Sequence, residues 1–414
     1  MIAALMIALT LTVQGPETIA EIRVHGNNVA SDAEILQLSG LTIGAPFTAT
    51  TIADVTAKLK ASHKFDAVEV LKRFASIEDP SKITVVIVVD EGPVKIAMPD
   101  KAAGPDAPIR LVKRRFGNFM WLPILYGEDG YGFTYGARIA YVGLPNERMR
   151  VSFPLSWGGD KKAGAEFEQT FLHGPISRVQ FGVATQRQEN PGFEINDDRT
   201  RVWGRAEHAS GPLRLGTTAG WQRVSFAELG DDLRTVGVDV AFDTRLDPLN
   251  PRNAVYATAS IERVAFDTAA THTYRRRVDA HGYLGVFRQN VLIARVLRED
   301  ASDALPPYLK PLLGGWSTLR GFEAGSYVGD TLVAGSLQLL IPISSPLSIG
   351  RLGFSAFVDT GTVYDNGQRF ADQTLHTGVG GSVWLTLTAF RIELAVARGL
   401  GVGTRVNFGG GIAF

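Results

Sequence analysis

Side chains able to do chemistry are plentiful in this chain, but few sit at spacings that would let them act together. No His-Glu-x-x-His helix is present to hold zinc, no Gly-x-Ser-x-Gly elbow to activate a serine, and no phosphate loop ending in Gly-Lys-Ser/Thr. The seven histidines, His272 and His281 among them, lack metal-ligand spacing. Cysteine is absent, which excludes thiolate metal sites and disulfide staples. Gly399, Gly401 and Gly403 alternate at strand period and read as an inward row of small residues rather than a nucleotide loop. Asp197-Asp198, Asp231-Asp232 and Asp365 read as solvated acids of loops. The expectation is a protein with no catalytic residue, no metal and no cofactor.

One charged residue stands out by its surroundings. Arg320 lies in Gly314-Gly315-Trp316-Ser317-Thr318-Leu319-Arg320-Gly321-Phe322. A solvated loop has no need of Trp316, Leu319 and Phe322 so close together, and a strand interior would be weakened by Gly314, Gly315 and Gly321. The stretch reads as a loop folded back into protein, carrying one guanidinium that needs a partner there. Its chemistry is that of a buried ion pair.

The elements that position this loop follow from the rest of the chain. Its 414 residues suit one large and one small unit. Lysine plus arginine and aspartate plus glutamate each total 42, so the net charge is zero, which argues against a nucleic-acid partner. Residues 1–15 open with an apolar run, Met1 to Val13, of signal-peptide length and too short to span a bilayer as a helix. Residues 18–95 read as a small α+β unit. Ile19–Val24 alternates as a strand, and Ser31 or Asp32 caps a helix running to Leu38. A second helix starts at Thr50 or Thr51, with Ile52, Val55 and Leu59 at helical spacing. Phe65–Phe74 and Ile83–Val89 read as two further strands, the last buried on both faces. Residues 96–110 are rich in Ala, Gly, Pro and Asp and read as a linker.

From 111 to 414 the pattern is period two, segment after segment. Val236, Val238, Val240 and Phe242 oppose Gly237, Asp239, Ala241 and Asp243; Phe390, Ile392, Leu394 and Val396 oppose Arg391, Glu393, Ala395 and Ala397. In a soluble sandwich such apolar faces meet in a core, whereas in an outer-membrane barrel they face lipid. The region is ~300 residues, long for one sandwich domain. At ~19 residues per strand and connection it holds about sixteen strands, an even number as such barrels require. The fold class expected is mainly β: a transmembrane antiparallel barrel after one small α+β domain.

On these residues the chain resembles the BamA/TamA family of outer-membrane assembly and translocation factors, also called the bacterial surface antigen family. Residues 18–95 look like one POTRA domain, and Asp90-Glu91-Gly92-Pro93 resembles its usual ending. Leu319-Arg320-Gly321-Phe322 is similar to the family's Val-Arg-Gly-Phe/Tyr motif, on a loop that folds into the lumen between the eleventh and twelfth strands. Phe357-Val358-Asp359-Thr360-Gly361 is similar to the Phe-x-Asp-x-Gly strand motif. Asp243, Arg245, Pro248 and Pro251 sit in a segment resembling the family's Asp-x-Arg…Pro strand end. The terminal strand, with Phe408, Ile412 and Phe414, resembles a targeting signal as well as a lipid-facing strand.

The resemblance implies an Arg320–Asp359 pair that pins the loop to the inner wall; a solvated Arg320, or one paired with Glu323, is the alternative. It further implies a non-enzymatic protein of the bacterial outer membrane with its POTRA-like domain in the periplasm. Its implied partners are the lipid bilayer, unfolded outer-membrane or secreted clients, and periplasmic chaperones or accessory proteins. Client strands would pair at a barrel seam softened by Gly409, Gly410 and Gly411. Better-known members carry several POTRA domains, so a single one implies a narrower role. A secretion pore for one dedicated partner and a passive porin or structural barrel are the competing readings.

Overall fold

The computed structural model describes residues 16–412 except 28, 66, 77–78, 80, 92–93, 98–109, 114–117, 144–147, 172–173, 247, 249, 345–350 and 388–389. The expected signal segment 1–15 and Phe414 lie outside the described residues. The chain divides into two compact units, Met1–Lys113 and Arg114–Phe414.

In the first unit β1 (Thr18–His25), α1 (Asp32–Ser39), α2 (Thr51–Ala61), β2 (Ala67–Phe74) and β3 (Lys82–Asp90) follow one another. β3 is central, parallel to β1 and antiparallel to β2. α1 begins where Ser31, in extended conformation, accepts the Glu34 N–H at 3.2 Å. It ends at Gly40, whose φ of 68° gives the left-handed turn that terminates helices. Ile83, Val85, Ile87 and Val89 of β3 share one core with Ile35 of α1 and Val55 and Leu59 of α2. Val86 and Val88 on the opposite face are only half-buried. The reading of β3 as buried on both faces is therefore corrected, because both helices cover one side of the sheet. Glu91 ties the end of the unit to its first turn, accepting the Val29 and Ala30 N–H groups at 2.6 Å each.

Val94–Ala97 pairs antiparallel with Arg110–Lys113. The linker expected over 96–110 thus begins and ends in paired strand, with 98–109 outside the described residues. The first described barrel strand is Asn118–Glu128. Four alternating residues serve a short hairpin as well as a barrel strand, so periodicity did not separate the two.

In the second unit sixteen antiparallel strands close into a barrel, each paired with its neighbours in sequence and the last, Gly403–Ile412, with the first. Outward apolar side chains are bare: Val236 is 60% exposed, Leu394 51% and Val406 61%. Among the described residues no second sheet covers them, which decides against the sandwich; lipid is the solvent that suits them. Inward rows carry paired charges, such as Arg205 with Asp239 and Arg295 with Asp279. No helix among the described residues is long and apolar enough to cross a membrane.

An even strand number leaves the chain entering and leaving on one rim. The opposite rim holds the hairpins after the odd-numbered strands and the long connection 302–330 between the eleventh strand (Val291–Ala301) and the twelfth (Thr331–Ser344). Two readings are corrected at this far rim. Asp197-Asp198 and Asp231-Asp232 are not loop acids; they lie on the sixth strand (Ile195–Ser210) and the eighth (Leu229–Asp243). Gly399, Gly401 and Gly403 are not one inward row: Gly399 ends the fifteenth strand, Gly403 begins the last, and Gly401 lies in the turn between them. φ is 90° at Gly401 and 134° at Gly403, and a Gly-x-Gly-x-Gly string fits a tight turn as readily as a strand.

Candidate functional site

The connection 302–330 folds back into the barrel and carries the candidate site. Asp330 fastens its base: one carboxylate oxygen accepts the Leu305 N–H at 2.8 Å and the other the Asn366 N–H at 3.0 Å. The Lys310 ammonium lies 3.3 Å away. Burial opposes the Asp330 charge, but these two N–H groups and Lys310 outweigh it and hold its carboxyl below the usual range. Leu305, Tyr308 and Leu309 then enter an apolar cluster with Val224, Phe226, Leu233, Val264 and Phe266 of strands seven to nine. There the Tyr308 hydroxyl donates to Asp231 at 2.8 Å, and Arg199 donates to the Tyr308 carbonyl at 2.6 Å.

At the tip the side chains meet the opposite wall. Leu319 and Phe322 are buried in a cluster with Leu297, Leu313, Leu332 and Ala334. Arg320 is 6% exposed and Asp359, on the thirteenth strand (Arg351–Tyr364), 2%. Arg320 Nε donates to Asp359 Oδ2 at 2.7 Å and Nη2 to Oδ1 at 2.8 Å, a bidentate fork. The Arg320 backbone N–H adds a third bond at 3.1 Å, and the Ser336 hydroxyl a fourth to the same carboxylate at 2.6 Å. The guanidinium lies 3.4 Å from the centroid of the Phe357 ring. Every lone pair of the buried carboxylate thus has a donor, the condition under which a buried pair is tolerated. Glu323, the alternative partner, instead lies 3.3 Å from Arg405.

Gly321 makes the close approach possible. Its φ is 91°, and a Cβ there would lie 2.6 Å from the Gly399 nitrogen, on the fifteenth strand (Phe390–Gly399). The Gly321 N–H donates to Asn407 Oδ1 at 3.1 Å, and Asn407 Nδ2 donates to Asp129 at 2.7 Å. Asn407 is on the last strand and Asp129 in the first hairpin, so one amide joins the loop tip to both sides of the barrel closure. Trp316 lies over the same strand; a Cβ on Gly409 would come within 2.1 Å of its ring. Asn407, Ser336 and Trp316's seat were missed by sequence reasoning. Alternation put Asn407 and Gly409 on the inward face, but nothing in the sequence joined that face to a loop some eighty residues earlier.

The remaining predicted residues lie elsewhere. Arg245 forks onto Asp243 with two 2.9 Å bonds at the entry-rim turn between the eighth and ninth strands, and lies 3.9 Å from the Tyr256 ring. Pro251 is buried there and Pro248 exposed. Phe408 faces outward beside Val406; the side chain of Ile412 and all of Phe414 lie outside the described residues.

Beside the loop the lumen keeps a cavity of about 420 Å³, lined by Tyr131, Gln222 and a set of arginines that includes Arg199 and Arg277. Arg277 pairs with Glu299 and Arg199 with Asp197. Among the described residues no group of acids and histidines is placed to hold a metal. What this arrangement can do is mechanical: it fixes a loop against the wall and couples it to the closure.

With the geometry in place, comparison with known proteins is informative. Residues 149–414 match the Omp85 superfamily domain, and residues 17–92 match the POTRA domain described as a surface antigen variable number repeat. No curated protein sequence matches the chain. Among solved structures, BamA from Haemophilus ducreyi lacking POTRA domains 1–3 is similar with a TM-score of 0.63 at 14% identity, over 96% of this chain and 84% of that one. CdiB from Escherichia coli is similar with a TM-score of 0.53 at 12% identity, over 98% and 92%. At such identities the likeness speaks for the fold.

Proposed function

Because the chain belongs to the Omp85 superfamily, an outer-membrane barrel with a periplasmic POTRA domain whose relatives act in protein insertion or secretion, we propose that it inserts client proteins by pairing their strands at the barrel seam. One observation carries this reading. Among the described residues the last strand pairs with the first at Gly409–Glu128, Gly410–Gly127 and Gly411–Tyr126, whereas with the fifteenth its ladder runs from Phe390–Ile412 to Gly399–Gly403. A short ladder with glycine at every position of one strand is the weakest joint of the closed sheet. Opening there exposes strand edges to which an extended client adds by main-chain hydrogen bonds. The POTRA-like sheet, with β2 at one edge and β1 at the other, offers the periplasmic docking place.

The seam is testable because the chain has no cysteine of its own. A Cβ at Gly411 would lie 3.1 Å from the Tyr126 Cβ, near the ~3.8 Å typical of a disulfide. The Y126C/G411C variant, oxidised, should lose client-barrel insertion in proteoliposomes and regain it on reduction. Full activity of the locked barrel overturns the reading. The same assay addresses passage through the lumen: a secretion pore keeps working with its seam locked but fails when the loop is crosslinked to the wall.

A further inference from the structure

The outward face of the far rim carries a row of arginines that neither the loop site nor the seam uses. Arg187, Arg223, Arg234, Arg263, Arg276 and Arg298 stand on the fifth (Arg178–Asn190), seventh (Leu213–Phe226), eighth, ninth (Ala254–Phe266), tenth (Thr271–Gly285) and eleventh strands. Each is exposed. Four of them sit one outward position nearer that rim than an exposed apolar residue: Arg234 beside Val236, Arg263 beside Ile261, Arg276 beside Val278 and Arg298 beside Val296. The sheet register places them side by side. Val236 faces Arg263 across the eighth and ninth strands, Ile261 faces Arg276 across the ninth and tenth, and Val278 faces Arg298 across the tenth and eleventh. Each arginine is thus the diagonal neighbour of the next, roughly 7–8 Å away.

Arg187, Arg223 and Arg234 each have an aspartate of their own, Asp198, Asp232 and Asp267, but acids do not balance the other three. Asp300 alone serves two of the arginines, Arg298 at 2.9 Å and Arg276 at 3.3 Å. Arg263 has no ion-pair partner among the described residues. Three guanidinium groups on strands nine to eleven therefore face one carboxylate. Directly below them Ile261, Val278 and Val296 are exposed apolar side chains. The row is one-sided: on the thirteenth and fourteenth strands the outward pair at the far rim is Thr360 and Thr377.

We propose that Arg263, Arg276 and Arg298 form a binding site for the phosphomonoester headgroup of a lipid in the outer leaflet. The POTRA domain is periplasmic, so the chain enters the barrel from that side and the far rim faces the cell exterior. Guanidinium forks match phosphate oxygens two at a time, and a phosphomonoester offers three such oxygens. The apolar residues one step below the arginines give the acyl chains of the same molecule a surface. That vertical adjacency of charge and apolar side chains favours a lipid over a free anion. The row turns one sector of the barrel, strands nine to eleven and opposite the seam, into a fixed lipid contact.

The test uses the full chain in nanodiscs of phosphatidylcholine doped with lipid A in phosphorylated or dephosphorylated form. Lipid retained after mild detergent extraction is read by native mass spectrometry. The unaltered protein should retain the phosphorylated form preferentially, and R263Q/R276Q/R298Q should reduce that retention about tenfold or more. R263K/R276K/R298K should recover only part of it, because lysine keeps the charge but loses the fork. Folding of each variant is checked by its heat-dependent shift on gels; if the glutamine variant fails to fold, the preference of the unaltered protein decides alone. Equal retention of the two lipids, unchanged retention by the glutamine variant, or full displacement of the lipid by inorganic phosphate at low millimolar concentration each overturns the proposal.

Discussion

Near its base the 302–330 connection holds to strands seven to nine through Leu305, Tyr308 and Leu309, all in an apolar cluster. Near its tip it holds to strand thirteen through a fully bonded ion pair, Arg320 with Asp359. The two anchors divide the labour. Apolar burial is strong but non-directional, so it keeps the loop in the barrel without defining where its tip points. A buried guanidinium is costly to desolvate and tolerates one geometry, so it adds little net stability but sets position. The position so set brings Gly321 to Asn407 and Trp316 to Gly409, both on the strand that closes the barrel.

The sharpest way to break this comparison is at the ion pair. Arg320→Ala strands a buried carboxylate and should cost roughly 3–5 kcal/mol in chemical unfolding, with protease cleavage appearing within residues 314–322. Asp359→Ala should do the same, and the double variant should lose far less than the sum of the two; strictly additive losses would end the case for a coupled pair. Leu309→Ala should cost roughly 2–5 kcal/mol by cavity formation, yet leave the tip protected from protease. Cleavage at 314–322 in that variant would mean the two anchors act as one. Asn407→Ala removes the acceptor of the Gly321 N–H and should cost about 1–3 kcal/mol, seen as faster opening of the seam by hydrogen exchange in residues 403–412.

The smallest effect expected is one of pH at the base. Asp330 is held below the ordinary aspartate value of 3.8. Its contribution is therefore fully present above about pH 4 and is lost as pH falls through the depressed value. Protease sensitivity near residue 305 should rise only in that acid range and should be pH-independent in Asp330→Asn. A loss of protection beginning near neutral pH would assign the base to another group.

Much of the architecture was legible because the barrel repeats one simple rule. Val236, Val238 and Val240 alternate with Gly237, Asp239 and Ala241, and outside versus inside follows directly. Ser31, one of the two candidate caps, marked the start of α1 for an equally local reason. Arg320 declared its need for a partner by the apolar residues and glycines around it. Local patterns also misled. Asp231-Asp232 looked like a turn, yet Asp231 points inward to Tyr308 and Asp232 outward to Arg223, as adjacent strand residues must.

By itself the sequence determined the two faces of the alternating strands, where the small domain's helices begin, and that Arg320, among apolar residues and glycines, calls for a partner. Only the tertiary structure decided who meets whom: Asn407 with both Gly321 and Asp129, Tyr308 with Asp231, and the arginines of strands eight to eleven drawn into one row. The physical reason is that period two assigns a face but not a height. Height along the barrel is set by register between strands, and a shift of two residues keeps every face while changing every neighbour.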